Sequence, residues 1–205
     1  MTPRALPLFV LRRARRLARA QDGVSAVEFA LIAPIMLITL FGLFDLAYNV
    51  YTAELLEGAI QQTARDSTIE GASSKAAALD ARVSTMIHAV APAATLTFTR
   101  KAYASFGDVG KPEDFTDLNG DGRCDAGEPF EDANGNGAWD EDQGKTGQGS
   151  ARDAVLYTVR VTYPRPFPVT ALFGFEDTYT MVSRTVLRNQ PYDISETSPS
   201  IGNCP

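Results

Sequence analysis

QDGVSAVEFALIAPIMLITLFGLFDLAYN, residues 21–49, decides how the rest of the chain is read. From Phe29 to Phe44 it runs 16 residues without a charge, about 24 Å of helix at 1.5 Å per residue. Continued through Asp45 to Val50 it reaches the length needed to cross a hydrocarbon core of about 30 Å. Two carboxylates bracket the run, Glu28 at its entrance and Asp45 near its far end. A charge at the centre of a bilayer costs about 2.5–3.5 kcal/mol on insertion scales, so each needs a reason. Six arginines (Arg4, Arg12, Arg13, Arg15, Arg16 and Arg19) and one acid, Asp22, precede Gly23. The positive-inside rule therefore places the N-terminus in the cytoplasm and the bulk of the chain outside it.

A basic stretch followed by an apolar run is shared by signal peptides, signal anchors and pilin leaders. Residues 12–16, RRARR, fit a twin-arginine signal poorly in context, and no A-x-A cleavage site closes the run. Gly23-Val24-Ser25-Ala26-Val27-Glu28-Phe29 resembles the prepilin-peptidase site of type IV pilins. That resemblance implies cleavage after Gly23, with Val24 as the new N-terminus and Glu28 as the fifth residue. It also implies that Glu28 attracts the terminal amine of a neighbouring subunit, and a paired charge in lipid costs far less than a lone one. A glutamate that merely snorkels to the interface explains neither the Gly23 spacing nor the basic leader. Over about 50 residues the chain is similar to the TadE/TadG-like pseudopilins of tight-adherence (Tad) pilus systems. Their AVEFAL-x-x-P run and following acid correspond to Ala26–Leu31, Pro34 and Asp45. FPVTALFG (167–174) and VSRTVLRNQPY (182–192) are weaker echoes of that family.

Beyond the apolar run, Leu46, Val50, Leu55, Leu56, Ala59, Ile60 and Thr63 recur at helical steps, so the helix is expected to continue past the membrane. Pro34 removes one backbone bond, which a membrane helix tolerates. Ser73 or Ser74 could cap a second helix with Ala76, Leu79, Val83, Met86, Ile87 and Val90 on one face, ended by Pro92. Strands are expected at 94–104, with Leu96, Phe98 and Arg100 on one face, at 153–163, where Val155, Tyr157, Val159, Val161 and Tyr163 alternate, and at 177–188. The fold class is α+β. A long N-terminal transmembrane helix enters a small head holding a second helix and an antiparallel sheet of about three strands. The divisions are 1–23, a prepilin-type leader; 24–50, the transmembrane helix; and 51–106, the stalk, second helix and first strand. They continue with 107–150, an acidic insertion; 151–192, the remaining strands; and 193–205, a flexible tail.

The net charge of −6 is uneven. With the leader's charges set aside, 13 basic and 24 acidic residues remain, and 12 of those acids fall within 108–142 beside only Lys111 and Arg123. Such local acidity points to a cation site. Asp117 to Glu128 fits the calcium-loop template D-x-[DN]-x-[DN]-G-x5-E throughout. Its ligands would be Asp117, Asn119, Asp121, Asp125, Glu128 and the carbonyl of Arg123, with Gly122 at the sharp turn. The phrase returns at Asp132, Asn134, Asn136, the carbonyl of Ala138 and Asp140, but Gln143 stands where the closing glutamate belongs. Asp142 or a ligand borrowed from the first loop is expected to compensate. Oxygen donors without histidine favour Ca²⁺. Gly and Pro crowd the flanks, so the pair resembles dockerin or thrombospondin-type-3 repeats more than a switching EF-hand pair.

No enzyme is expected: His88 is the sole histidine, on a helix face, and a filled calcium shell leaves no position for substrate. Nucleic-acid binding is disfavoured because the chain beyond the leader is acidic. Cys124 and Cys204 make at most one disulfide, and neither has a CxxC partner. Two functional classes follow. One is a minor pseudopilin that contributes to assembling a Tad-type pilus or secretion apparatus, single-pass in the bacterial inner membrane with a periplasmic head. The resemblance implies a prepilin peptidase, other pilins or pseudopilins, Tad inner-membrane assembly proteins and membrane lipid as its partners, with the pilus or cell surface as a further location. The other is a membrane-anchored extracytoplasmic calcium-binding module with no pilus role.

Overall fold

The computed structural model describes residues 23–67, 76–150, 152–167, 169–174, 176–189 and 199–205. The arginine-rich leader and the Ser73 or Ser74 cap lie outside the described residues. Helix α1, Val24–Ser67, runs 44 residues without a break through Pro34, a rod of about 66 Å. Anchor and stalk are therefore one element. From Val24 to Phe44 the large apolar side chains are exposed, as a helix built to sit in lipid requires.

Beyond Phe44, α1 buries one face, and that face begins with polar residues: Asp45, Asn49 and Thr52 come before Leu56, Ala59, Ile60 and Thr63. This revises the stripe expected from apolar spacing, because Leu46 and Val50 point outward at 60% and 54% exposure. Asp45, Asn49 and Thr52 are buried with partners, whereas the Thr63 hydroxyl is buried without one among the described residues. Asn49 accepts from the Tyr163 hydroxyl at 2.7 Å and donates to Asp45 at 3.2 Å, and Thr52 donates to the Tyr48 carbonyl. Apolar counting cannot see a face held by hydrogen bonds.

Helix α2, Ala76–His88, buries Val83 and Ile87 against α1. The main sheet holds four antiparallel strands: β1 (Thr95–Tyr103), β3 (Lys145–Thr146), β4 (Ala154–Pro164) and β5 (Thr178–Arg188), in the order β3-β1-β4-β5. The expected three strands are present, and β3 adds a two-residue edge on β1 at Lys101↔Thr146. In β4, Val155, Tyr157, Val159, Val161 and Tyr163 are all at or below 1% exposure and face the helices. Under that layer Arg100 grips Asp80 with two hydrogen bonds (3.0 and 2.5 Å) and lies over the Tyr157 ring at 4.5 Å. The Tyr157 hydroxyl also donates to Asp80, at 2.7 Å, so no member of this cluster is left unpaired.

Thr95 pairs with Thr162 and Tyr103 with Ala154, so β1 and β4 would form a simple hairpin if residues 104–153 were removed. The acidic segment is thus an insertion at the tip of a hairpin. A second sheet ties it to the last residues, where β2 (Pro129–Asp132) pairs with β6 (Ser200–Asn203). This corrects the expectation of a flexible tail: residues 200–203 are a strand, and Cys204 is 4% exposed in a disulfide with Cys124. Four residues of the sequence SIGN carry no alternation of their own, and β2 and the cross-link impose their conformation.

Candidate functional site

At the start of α1 the Gly23 carbonyl accepts the first helical hydrogen bond, from Val27 at 3.1 Å. Val24 is the first helical residue, and Glu28 lies one turn on, exposed among exposed apolar neighbours. At the far end of the apolar run Asp45 is buried and ion-paired with Arg165, which follows β4. The two charges that bracket the run therefore differ in state, Asp45 paired within the chain and Glu28 open to a partner from outside it. Residues 23–65 match the family model of TadE-like proteins. The match covers α1 except its last two residues and none of the sheet. Together with a helix long and apolar enough to cross a membrane, it supports a membrane-anchored protein associated with Tad pili. No curated protein and no solved structure matches the chain.

In the insertion, each predicted loop is wound around its leading aspartate. Asp117 accepts from the amides of Gly120 (2.6 Å) and Gly122 (2.8 Å), Asn119 from Asp121, and Asp121 from Arg123. Asp132 accepts from Gly135 (2.7 Å), Asn136 (3.0 Å) and Gly137 (3.0 Å), Asn134 from Asn136, and Asn136 from Ala138. Gly122 and Gly137 occupy the same place in each loop with φ of +78° and +80°, a conformation side chains disfavour. The amides of Gly122 and Gly120 hold the Asp117 carboxyl below its ordinary pKa. Burial alone would raise Asp132, but the amides of Gly137, Gly135 and Asn136 and the Ser200 hydroxyl outweigh it and hold it low as well. Both aspartates are therefore ionised at neutral pH.

Glu128 closes the first loop, accepting from Leu118 (2.8 Å) and Asp125 (3.0 Å), the second and ninth loop residues. The second loop is closed by Glu113, which accepts from Ala133 (2.9 Å) and Asp140 (3.1 Å), again the second and ninth residues. This corrects the expectation that Asp142 or the first loop would supply the missing group. Asp142 instead accepts from Lys101 (2.6 Å) and Tyr103 (2.9 Å), fastening the insertion to β1. Burial, with Asp142 adjacent, pushes the Tyr103 hydroxyl up to about 12. Gln143 does not close the loop: its backbone N–H donates to the Lys111 carbonyl at 3.0 Å.

The signal for Glu113 is present in the sequence as a 15-residue repeat: Glu113-x-Phe115-x-Asp117-x-Asn119-Gly-Asp121-Gly-x-x-Asp125, then Glu128-x-Phe130-x-Asp132-x-Asn134-Gly-Asn136-Gly-x-x-Asp140. Each repeat's leading glutamate closes the other repeat's loop. The backbone obeys the same exchange: Thr116 donates to Pro129 while Glu131 donates to Asp114, both at 2.8 Å, beside a Phe115↔Phe130 bridge. Glu128 likewise donates to the Asp125 carbonyl and Glu113 to that of Asp140, both at 3.0 Å. The repeats are thus related by an approximate two-fold axis. Trp139 donates its indole N–H to the Glu113 carbonyl at 2.9 Å and meets Phe115 edge-on, forming the small apolar centre of the module.

Among the described residues no group of three or more His, Cys, Asp or Glu side chains converges as a metal cage. The donor chemistry nevertheless fits a hard cation. A carboxylate has about four lone-pair sites, and the Asp117 oxygens accept one amide each, which leaves them capacity for an ion, whereas the Asp132 oxygens accept two contacts each. His88 hydrogen-bonds the Ala94 carbonyl at 2.9 Å, a structural use of that side chain.

Proposed function

We propose that the chain is a minor pseudopilin that contributes to assembling a Tad-type pilus or secretion apparatus. In this reading it is anchored in the bacterial inner membrane with its head in the periplasm. The observation that carries the reading is an exposed Glu28, five residues after Gly23, at the head of an apolar helix within the TadE-like segment. Glu28 would pair with the terminal amine of a neighbouring subunit, and the prepilin peptidase, other pilins or pseudopilins and Tad assembly proteins are the partners. The Cys124–Cys204 bridge supports a head outside the cytoplasm, since disulfides persist in oxidising compartments. The reading assigns no catalysis to the chain. Intact mass from native membranes is expected to match a chain beginning at Val24. Glu28→Ala is expected to leave that cleavage intact while piliation falls. An uncut chain would favour the anchored module without a pilus role, and cleaved Glu28→Ala with normal piliation would remove the pairing.

The head's part in this reading is a structural calcium module. Asp117, Asn119, Asp121, Asp125, Glu128 and the Arg123 carbonyl would hold one ion. Asp132, Asn134, Asn136, Asp140 and the Ala138 carbonyl, with Glu113 in place of Gln143, would hold a second. The ions would neutralise carboxylates that otherwise repel one another within the insertion. Calorimetric titration of the full chain in detergent is expected to show Ca²⁺ binding, with a change in Trp139 fluorescence. Free ion at a hundredfold above Kd should add about 2.7 kcal/mol per site. Asp117→Ala should weaken the first site and Asp132→Ala the second. Absence of binding at millimolar Ca²⁺, with melting unmoved by chelator, sinks the calcium reading.

A further inference from the structure

The connection from β4 to β5 does not stay with the head. Residues 166–175, PFPVTALFGF, contain no charge, and the connection turns back toward the apolar part of α1. Phe167 stacks on Phe41 with ring centroids 5.8 Å apart and lies 6.0 Å from Phe44, both residues of the apolar run. The 3-10 turn Val169–Phe173 also packs against α1, and Phe173 at its end is 64% exposed. Directly above, Arg165 pairs with Asp45, and the loop's ends are tied together by Arg165 donating to the Asp177 carbonyl at 2.7 Å.

The level of this contact follows from helix arithmetic. With the inner edge of the hydrocarbon at Val24, a core of about 30 Å ends near Phe44. With the inner edge at Glu28 it ends near Tyr48. Under either placement Phe167, lying against Phe41 and Phe44, is at or inside the outer edge. The Asp45–Arg165 pair then sits at or just beneath the headgroups, where a neutralised pair costs little. Resting on the reading of α1 as a membrane span, we propose that Phe167 and the turn Val169–Phe173 form a lipid-inserted foot. Phe167 and Phe173 enter the outer edge of the bilayer and seat the head directly on the membrane surface. The occupant of this apolar tip is lipid because the tip is continuous with the lipid-facing surface of the span itself.

The test uses the full chain in nanodiscs at one copy per disc, with trifluoromethyl-phenylalanine placed singly at Leu37, Tyr51 or Phe173. Fluorine relaxation is read against dissolved oxygen, which concentrates in hydrocarbon, and a nickel chelate, which stays in water. Position 37 should respond to oxygen and position 51 to nickel. Position 173 is expected to follow position 37, with an oxygen-to-nickel ratio several-fold above that of position 51. A ratio at 173 equal to that at 51, while 37 reports lipid, overturns the foot and leaves the span standing. A water-like response at 37 overturns the span, and the foot with it. Protection at 173 that arises only with two copies per disc would assign the surface to a second chain and also overturn the proposal.

Discussion

Replacing Cys124 and Cys204 together with serine is expected to destabilise the head by roughly 4 kcal/mol, the chain-entropy value for a cross-link of this span. The bridge joins residues 80 positions apart. It therefore restrains 80 of the 205 residues in the unfolded state. In the folded state it pins the last strand to the insertion. β6 has only four residues, and its pairing with β2 is its sheet contact. The Cys204 amide also donates to the Glu128 carbonyl at 2.8 Å, within the first loop. Loss of the cross-link should thus release β6, uncover Phe130 (1% exposed) and loosen the carboxylate that closes that loop. For a chain of this size a change of 4 kcal/mol corresponds to roughly 10 °C in Tm. Melting of the full chain in detergent, with and without reductant, reads it directly. A shift below about 2 °C would mean that the cross-link is not holding the head together.

The elements legible in the sequence are those whose information is local. The apolar run and its bracketing charges announce α1, and strict alternation in Val155, Tyr157, Val159, Val161 and Tyr163 announces the central strand, because each pattern reports one face over many residues. The first loop is legible because its spacing is a coordination geometry written into consecutive positions. What escapes is specified by partners far away in sequence. Asp45, Asn49 and Thr52 look like solvent-facing interruptions until Arg165 and Tyr163 arrive from β4 and its end. β3 is two residues on the edge of β1, too short to carry a period. β6 exists because β2 and Cys124 hold it. Glu113 is the instructive case. Reading the second loop as an isolated template fixes attention on Gln143. Reading it as half of a 15-residue repeat would have placed a glutamate before each loop and exposed the exchange between them.

That exchange makes a sharp distinction between two residues. Glu113→Ala is expected to cost about 3 kcal/mol even in chelator, whereas Gln143→Ala should change stability by less than about 0.5 kcal/mol. The reasoning rests on what each side chain leaves behind. Glu113 is 1% exposed and accepts from the amides of Ala133 and Asp140, with a longer contact to Asn134 at 3.4 Å. Its removal orphans two well-formed donors, each worth roughly 1–3 kcal/mol when left without a partner. Gln143 makes one side-chain bond, at 3.5 Å to the Pro112 carbonyl, long enough to contribute little. Because Trp139 donates to the Glu113 carbonyl, loosening of this segment should register in Trp139 emission as well as in the melting curve. Glu113→Gln separates the structural from the ionic role. It keeps the shape and one acceptor oxygen, so it should melt closer to the parent in chelator. On the calcium reading it should lose most of the second-loop stabilisation when Ca²⁺ is added, while the first loop still binds. If Gln143→Ala proves the more damaging of the two alanine variants, the second loop closes through its own twelfth residue, and the exchange of glutamates between repeats is wrong.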